Sequence, residues 1–224
     1  MLFLAYIFVE GTGMAGVAGQ RNEWVEGFLF VGNHLALDFL NTKPILENGP
    51  QELLPNAAAL ERWLTASGIV SSHKDRALVR SWRGSRVAEA FVQKLVGFRE
   101  RLRTAVLRLE GGLLPGDAFV AELNMLLKKY PQRTSLKKHE SKLGLNQFFE
   151  LRQPEDIWTP IASAAAELLS QLDASRIRKC ESASCVVHFY DTSKKGSRRW
   201  CSMNLCGNRL KVAAYQRRQR LGDR

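Results

Sequence analysis

Four cysteines, Cys180, Cys185, Cys201 and Cys206, fall in the last quarter of a chain of 224 residues, and it has no others. They form two C-x4-C pairs fifteen residues apart. Two close pairs around a short insert are how a chain assembles one tetrahedral four-thiolate zinc site. Four sulfurs leave no coordination position for water, so the expected Zn²⁺ is single and structural. A tail of about 45 residues has too little core to fold alone, and metal binding would add folding free energy. Two disulfides are the alternative; a reducing compartment disfavours them.

The compartment is inferred from the other end. The opening MLFLAYIFV is apolar but short, and no Lys or Arg precedes it. It therefore lacks the positive n-region of a secretory signal. No apolar run reaches the roughly 18–20 residues that span a bilayer. A cytoplasmic protein with no membrane partner is expected. Residues 1–25 read as an N-terminal extension, with Met14 as an alternative start.

Local patterns give the tail an order. Cys180–Cys185 is a tight loop, Val186–Tyr190 alternates as a strand, and Ser193–Ser197 is a turn using Gly196. Arg198–Trp200 is expected to return as the second strand of a hairpin and deliver Cys201. Ser202 or Asn204 then caps a helix that carries Cys206 in its first turn and runs to Arg220. Loop, hairpin and helix in this order make a treble-clef-like zinc finger.

Charge suggests a partner. Residues 176–224 carry 13 Lys/Arg against 3 Asp/Glu, whereas residues 1–175 carry 20 against 19. A zinc tetrathiolate would remove two of those ten net charges. The remainder points to a polyanion, DNA first. Arg198, Arg199, Asn208, Arg209, Lys211, Arg217, Arg218 and Arg220 are the candidate DNA-binding residues. Arg reads guanine and Asn reads adenine in the major groove, and both Lys and Arg neutralise phosphate. On a helix Asn208, Lys211, Tyr215 and Arg218 share one face. Trp200 and Phe189 are expected in the small core of the finger. An RNA-binding or protein-interaction zinc module without DNA sequence specificity is the alternative. A nuclease would need a second His beside His188, and the helix has none. No nucleophile–base pair or Gly-rich phosphate loop occurs, so no catalytic residue is assigned and the protein is not expected to be an enzyme.

The front part reads as helix-rich, so the fold class is α+β: a mostly helical N-terminal domain with a small β-hairpin, plus the zinc finger. Helical spacing covers Pro55–Ser67, stopped by Gly68. A long pattern follows from a Ser72 cap to Glu110, with Gly84–Ser85 as the place for a kink or a split. Further helices read over Asp117–Tyr130 and Glu155–Leu172, with strands over Ser135–His139 and Leu143–Leu151. The expected domains are 26–173 and 174–224.

At these residues the chain resembles the CGNR zinc-finger family. The tetrad Cys206-Gly207-Asn208-Arg209 is literal, and Phe189-x-Asp191-x-Ser193 and Arg198-Arg199-Trp200-Cys201-Ser202-Met203 surround it. Gly32-Asn-His-Leu-Ala-Leu-Asp38-Phe39-Leu-Asn41-Thr42 resembles the hallmark of the partner region, the ABATE domain, with Asn33 where a second glycine is expected. Together the two cover about residues 26–220. The resemblance implies a bacterial, stress-linked transcription regulator whose finger binds DNA. A regulator needs an input, so a small-molecule effector and a homodimer are candidate partners. His34, Asp38, Asn41 and Thr42 gather polar groups in an apolar segment. They are candidates for a ligand pocket or for bracing a helix start. Burying Asp38 unpaired would be costly, and Arg99 or Arg103 is its expected partner.

Overall fold

The computed structural model describes residues 5–7, 23–46, 49–139 and 142–208. Short strands come first: β1 (Ala5–Ile7), β2 (Trp24–Val25) and β3 (Phe28–Leu29). Glu26 and Gly27 join β2 to β3 with φ of 53° and 82°. Positive φ at both central residues suits the right-handed twist of a tight hairpin. Helix α1 (Leu35–Leu40) follows, then the small hairpin β4 (Ile45–Leu46) and β5 (Gly49–Pro50).

The helices begin and end where the local chemistry dictates. Asn56 accepts from the Ala59 amide at 2.9 Å to cap α2 (Ala57–Ala66), and Gly68 leaves it at φ 80°. Ser72 accepts from the Asp75 amide at 3.0 Å to cap α3 (His73–Ser81). The long pattern does split: Gly84 takes φ 72°, and Ser85 precedes α4 (Arg86–Glu110). Helix α5 (Asp117–Lys129) leads into the ribbon of β6 (Arg133–His139) and β7 (Lys142–Phe149), which pairs on its other edge with β1. A 3₁₀ turn at Pro154–Ile157 opens α6 (Trp158–Ser170). Pro160 sits in the first turn of α6, where an N–H would have no helical partner.

Helix α4 runs through the core. Phe91, Leu95, Phe98, Leu102 and Val106 recur at helical spacing and are all fully buried. Phe98 stacks on Phe119 of α5 at 5.6 Å and meets the edge of Trp158 of α6 at 5.2 Å. Each such side chain contributes about 1.5–3 kcal/mol by leaving water. Arg99 lies one position beyond this stripe and has no exposure. Its guanidinium pairs with Glu52 (2.8 Å from Nη1 to Oε1) and Glu100, and donates to Thr42 Oγ1 at 2.8 Å. Burial opposes the charge, but the two carboxylates outweigh it and raise the Arg99 pKa.

The tail departs from the expected hairpin. Strand β9 (His188–Tyr190) pairs antiparallel with β8 (Ile177–Lys179), the segment just before the first cysteine. The loop of this hairpin is therefore the Cys180–Cys185 knuckle itself. Residues 198–200 form no strand; a single backbone bond, from the Glu181 amide to the Arg199 carbonyl at 3.0 Å, and the Arg199–Glu181 side-chain pair tie them to the knuckle. The reason lies in the side chain of Arg198. It folds over Phe189 at 4.5 Å and donates to the carbonyls of Trp200 and Cys201, a compact bend incompatible with an extended strand.

Candidate metal centre

Each sulfur arrives on a different local device. The Cys180 amide donates to Val187 O at 2.9 Å, and the Cys185 amide to Ser182 O at 2.9 Å, which closes the knuckle. Ser202 caps a wide helical turn, Met203–Gly207, accepting from the amides of Asn204 and Leu205 at 3.0 and 3.1 Å. That turn places Cys206 beside Cys201. Gly207 packs against Met203 and Trp200; an added Cβ would lie 2.8 Å from Met203 Sδ.

All four Sγ atoms lie within 4.8 Å of one another, and all four cysteines are buried. Cys201–Cys206 is 3.6 Å and Cys185–Cys201 is 3.9 Å. Tetrahedral zinc with bonds of about 2.3 Å sets sulfurs about 3.8 Å apart, so the cluster fits one Zn²⁺. Those distances are far from the ~2.05 Å of a disulfide. Sulfurs this close also share protons. Hydrogen bonding to Cys180 pushes the Cys185 thiol up to about 12 and Cys201 higher still, while Cys180 is pulled far down. A divalent cation resolves that conflict by stabilising four thiolates at once. The finger carries one zinc ion, held by Cys180, Cys185, Cys201 and Cys206.

The finger is completed by residues far upstream. Leu29 and Val31 share a buried cluster with the four cysteines, Val187 and Phe189, and Trp24 packs against it. Glu23 accepts from the Ser202 hydroxyl. The outer edge of β9 is then closed by the glycine-asparagine segment before α1 and by Asn41 after it. The Tyr190 amide donates to Gly32 O at 2.8 Å, and Asn33 Nδ2 donates to Tyr190 O at 2.9 Å. Asn41 acts as a surrogate peptide: its Nδ2 donates to His188 O at 2.8 Å and its Oδ1 accepts from His188 N at 3.0 Å. Every outward N–H and C=O of His188 and Tyr190 is thus matched, as a buried strand edge requires.

The four pocket candidates occupy this brace. His34 Nδ1 caps α1 by accepting from the Ala36 amide at 3.3 Å, and its Nε2 lies 3.6 Å from Glu167 on α6. That contact holds the Glu167 carboxyl below its ordinary range. Thr42 donates to Phe39 O at 2.7 Å and receives Arg99. Asp38 pairs with neither Arg99 nor Arg103. Arg99 is taken by Glu52 and Glu100, and Arg103 by Glu100 and the Leu40 carbonyl at the end of α1. Asp38 Oδ1 instead accepts from the Gly32 amide at 2.7 Å. Loss of water raises its pKa to about 7, against the pull of the Gly32 and Val31 amides. A Cβ at Gly32 would come within 2.9 Å of the Asp38 amide nitrogen, so glycine is required there. Asn33, the departure from the hallmark, has φ 56°, a conformation asparagine tolerates nearly as glycine does.

Among the DNA-binding candidates, Arg198 is engaged within the finger. Arg199 is exposed but bonds Glu181 at 2.6 Å and lies 5.2 Å from the Trp200 ring. Asn208 is exposed at the end of the helical turn. Arg209, Lys211, Arg217, Arg218 and Arg220, with the helix expected for them, lie outside the described residues. His188 is buried, with its Nε2 3.4 Å from Glu110. Sequence reasoning missed Glu23, Trp24, Leu29 and Val31 as parts of the finger, because nothing in a local pattern links them to residues so distant.

No helix among the described residues is long and apolar enough to cross a membrane. A family model described as "CGNR zinc finger" matches residues 176–219, and one described as "Putative stress-induced transcription regulator", ABATE, matches residues 33–171. Among curated proteins none matches. With the second match spanning more than half of its length and the first covering the cysteine cluster, the chain belongs to the ABATE family and ends in a CGNR zinc finger.

Proposed function

We propose that the chain is a DNA-binding transcription regulator that meets duplex DNA through its zinc finger, with Asn208 and the basic residues Arg209, Lys211, Arg217, Arg218 and Arg220. The observation that carries this reading is the coincidence of charge and metal. A cluster built to hold one Zn²⁺ sits in the segment that supplies ten of the chain's eleven net positive charges. A structural zinc does no chemistry on a substrate; it fixes a small surface rigidly, which is what groove recognition needs. The front domain has the role of holding the finger in place. His34, Asp38, Asn41 and Thr42 serve as its brace, since their polar groups are turned to the protein's own backbone and side chains.

Titration of the zinc-loaded full chain against fluorescent duplex DNA tests this. About four phosphate contacts give a log–log salt slope near −3.6, so raising salt from 50 to 200 mM weakens binding about 150-fold. Undetectable binding at 50 mM salt overturns the proposal. Tighter binding to RNA of the same sequence would transfer the function to RNA.

A further inference from the structure

We infer that the turn at residues 192–197 is a phosphate-binding loop, and that Lys194 and Lys195 supply its contacts to the DNA backbone. This assignment rests on the DNA-binding reading above and places two of its roughly four phosphate contacts on a second surface, separate from the residues after Cys206.

The seven cations of residues 176–208 divide by type. The four arginines serve the finger itself. Arg176 donates to the carbonyls of Asp191 and Ser193 at 2.9 Å each. Arg178 lies 4.0 Å from the Asp191 carboxylate. Arg198 holds the carbonyls of Trp200 and Cys201, and Arg199 holds Glu181. The lysines at 179, 194 and 195 are exposed, and among the described residues none of them has a carboxylate partner within 4 Å. Arginine's planar fork suits the fixed multidentate bonds it makes here, and once the arginines are so engaged the unpaired lysine ammonium groups are the point charges left to neutralise phosphate.

The loop that presents Lys194 and Lys195 is fixed at both ends. Asp191 has no exposure; its Oδ1 accepts from the Ser193 amide at 2.9 Å and its Oδ2 from the Arg198 amide at 2.8 Å. Burial opposes its ionisation, but these bonds and Arg178 prevail and keep the carboxyl below its ordinary range. Gly196, at φ 58°, turns the chain back, and its amide donates to Ser193 O at 3.1 Å. A Cβ there would stand 3.7 Å from the Arg176 guanidinium. Arg198 then links the far end to the carbonyl of a zinc ligand. Two free ammonium groups thus ride on a turn rigidly joined to the metal centre. Such pre-organisation lowers the entropy cost of contact.

The test is the salt dependence of duplex binding by zinc-loaded full-length Lys194→Ala/Lys195→Ala. Both side chains are exposed, so one zinc per chain and the wild-type unfolding curve are expected to persist. Losing two phosphate contacts reduces the magnitude of the slope by about 1.8; the same fourfold rise in salt then weakens binding about 12-fold instead of about 150-fold. Lys194→Arg/Lys195→Arg keeps the wild-type slope. Arg199→Ala, which removes a group already bonded to Glu181, shifts it by less than half as much. A double alanine variant with the wild-type slope overturns the loop assignment while leaving DNA binding intact. Wild-type protein that fails to bind overturns DNA binding itself, and the loop with it.

Discussion

Replacing Asn41 by alanine should detach the finger's edge from the front domain, and the cost follows from the contacts. Asn41 and His188 are each 2% exposed, and the amide satisfies both the N–H and the C=O of His188. Alanine leaves two buried peptide groups unpaired. Each costs about 1–3 kcal/mol, so the loss is about 2–6 kcal/mol, a large share of the ~5–15 kcal/mol that holds a typical domain. Asn33→Gly is the control. It keeps φ 56° accessible and gives up a single exposed bond to Tyr190, so it should cost less than ~1 kcal/mol. Urea unfolding of both variants at saturating zinc, followed by tryptophan fluorescence and near-UV circular dichroism, measures the difference. Asn41→Asp keeps the acceptor for His188 N but sets an oxygen against His188 O; it should be at least as damaging as alanine. An Asn41→Ala variant within 1 kcal/mol of wild type, or indistinguishable from Asn33→Gly, refutes the edge-clamp account.

Two further outcomes follow from the same region and from the metal. Asp38 has a folded pKa of about 7 against an ordinary 3.8. A raised acid pKa means its contribution is fully present below the unfolded value and is lost as pH rises toward the folded one. At ~1.4 kcal/mol per unit, stability falls by roughly 4 kcal/mol from this group across that window. Asp38→Asn keeps an oxygen for the Gly32 amide and removes the charge, so its stability should gain on wild type as pH rises from 5 to about 7 and then run level with it above that; curves parallel from pH 5 to 7 would contradict the burial argument. Cys206→Ser should lose its zinc to a colorimetric chelator that leaves wild type loaded, while helix content stays near wild type because the sulfurs lie outside the α4 core. One tightly held zinc in that variant would mean that Cys206 is no ligand.

What could be read from the chain alone was local. Helix limits at Gly68, Ser72 and Gly84 follow from side chains and glycines that act on their own neighbours; the cap at Asn56, one residue inside the expected Pro55 start, is missed by the spacing alone. The zinc site was legible because its chemistry resides in a spacing. The strand partner of β9 was not: residues 177–179 and 198–200 are equally short and basic, and the choice between them is made by Arg198 curling over Phe189. Nor was the partner of Asp38. Charge suggested an arginine, whereas the structure uses the amide of Gly32, a donor every residue but proline carries and no sequence advertises. Asn41 was equally opaque, since its partner is a backbone 147 positions away.

These contacts change what counts as the finger. Its buried cluster takes Leu29 and Val31 from before α1, its strand edge takes Asn41 from after it, and Glu23 holds the hydroxyl of Ser202, the cap of the turn that carries Cys206. Cut at the start of β8, the tail would keep all four sulfurs but leave the cluster beneath Val187 and Phe189 without one wall. Metal binding could still close the knuckle, because its free energy comes from the thiolates. The position of β9 would no longer be set. The hallmark of the front domain is therefore also a structural part of the zinc module. A shift of α1 relative to the finger would have to break the Asn41 bonds to His188, while the contact of His188 with Glu110 ties β9 to α4 independently of α1.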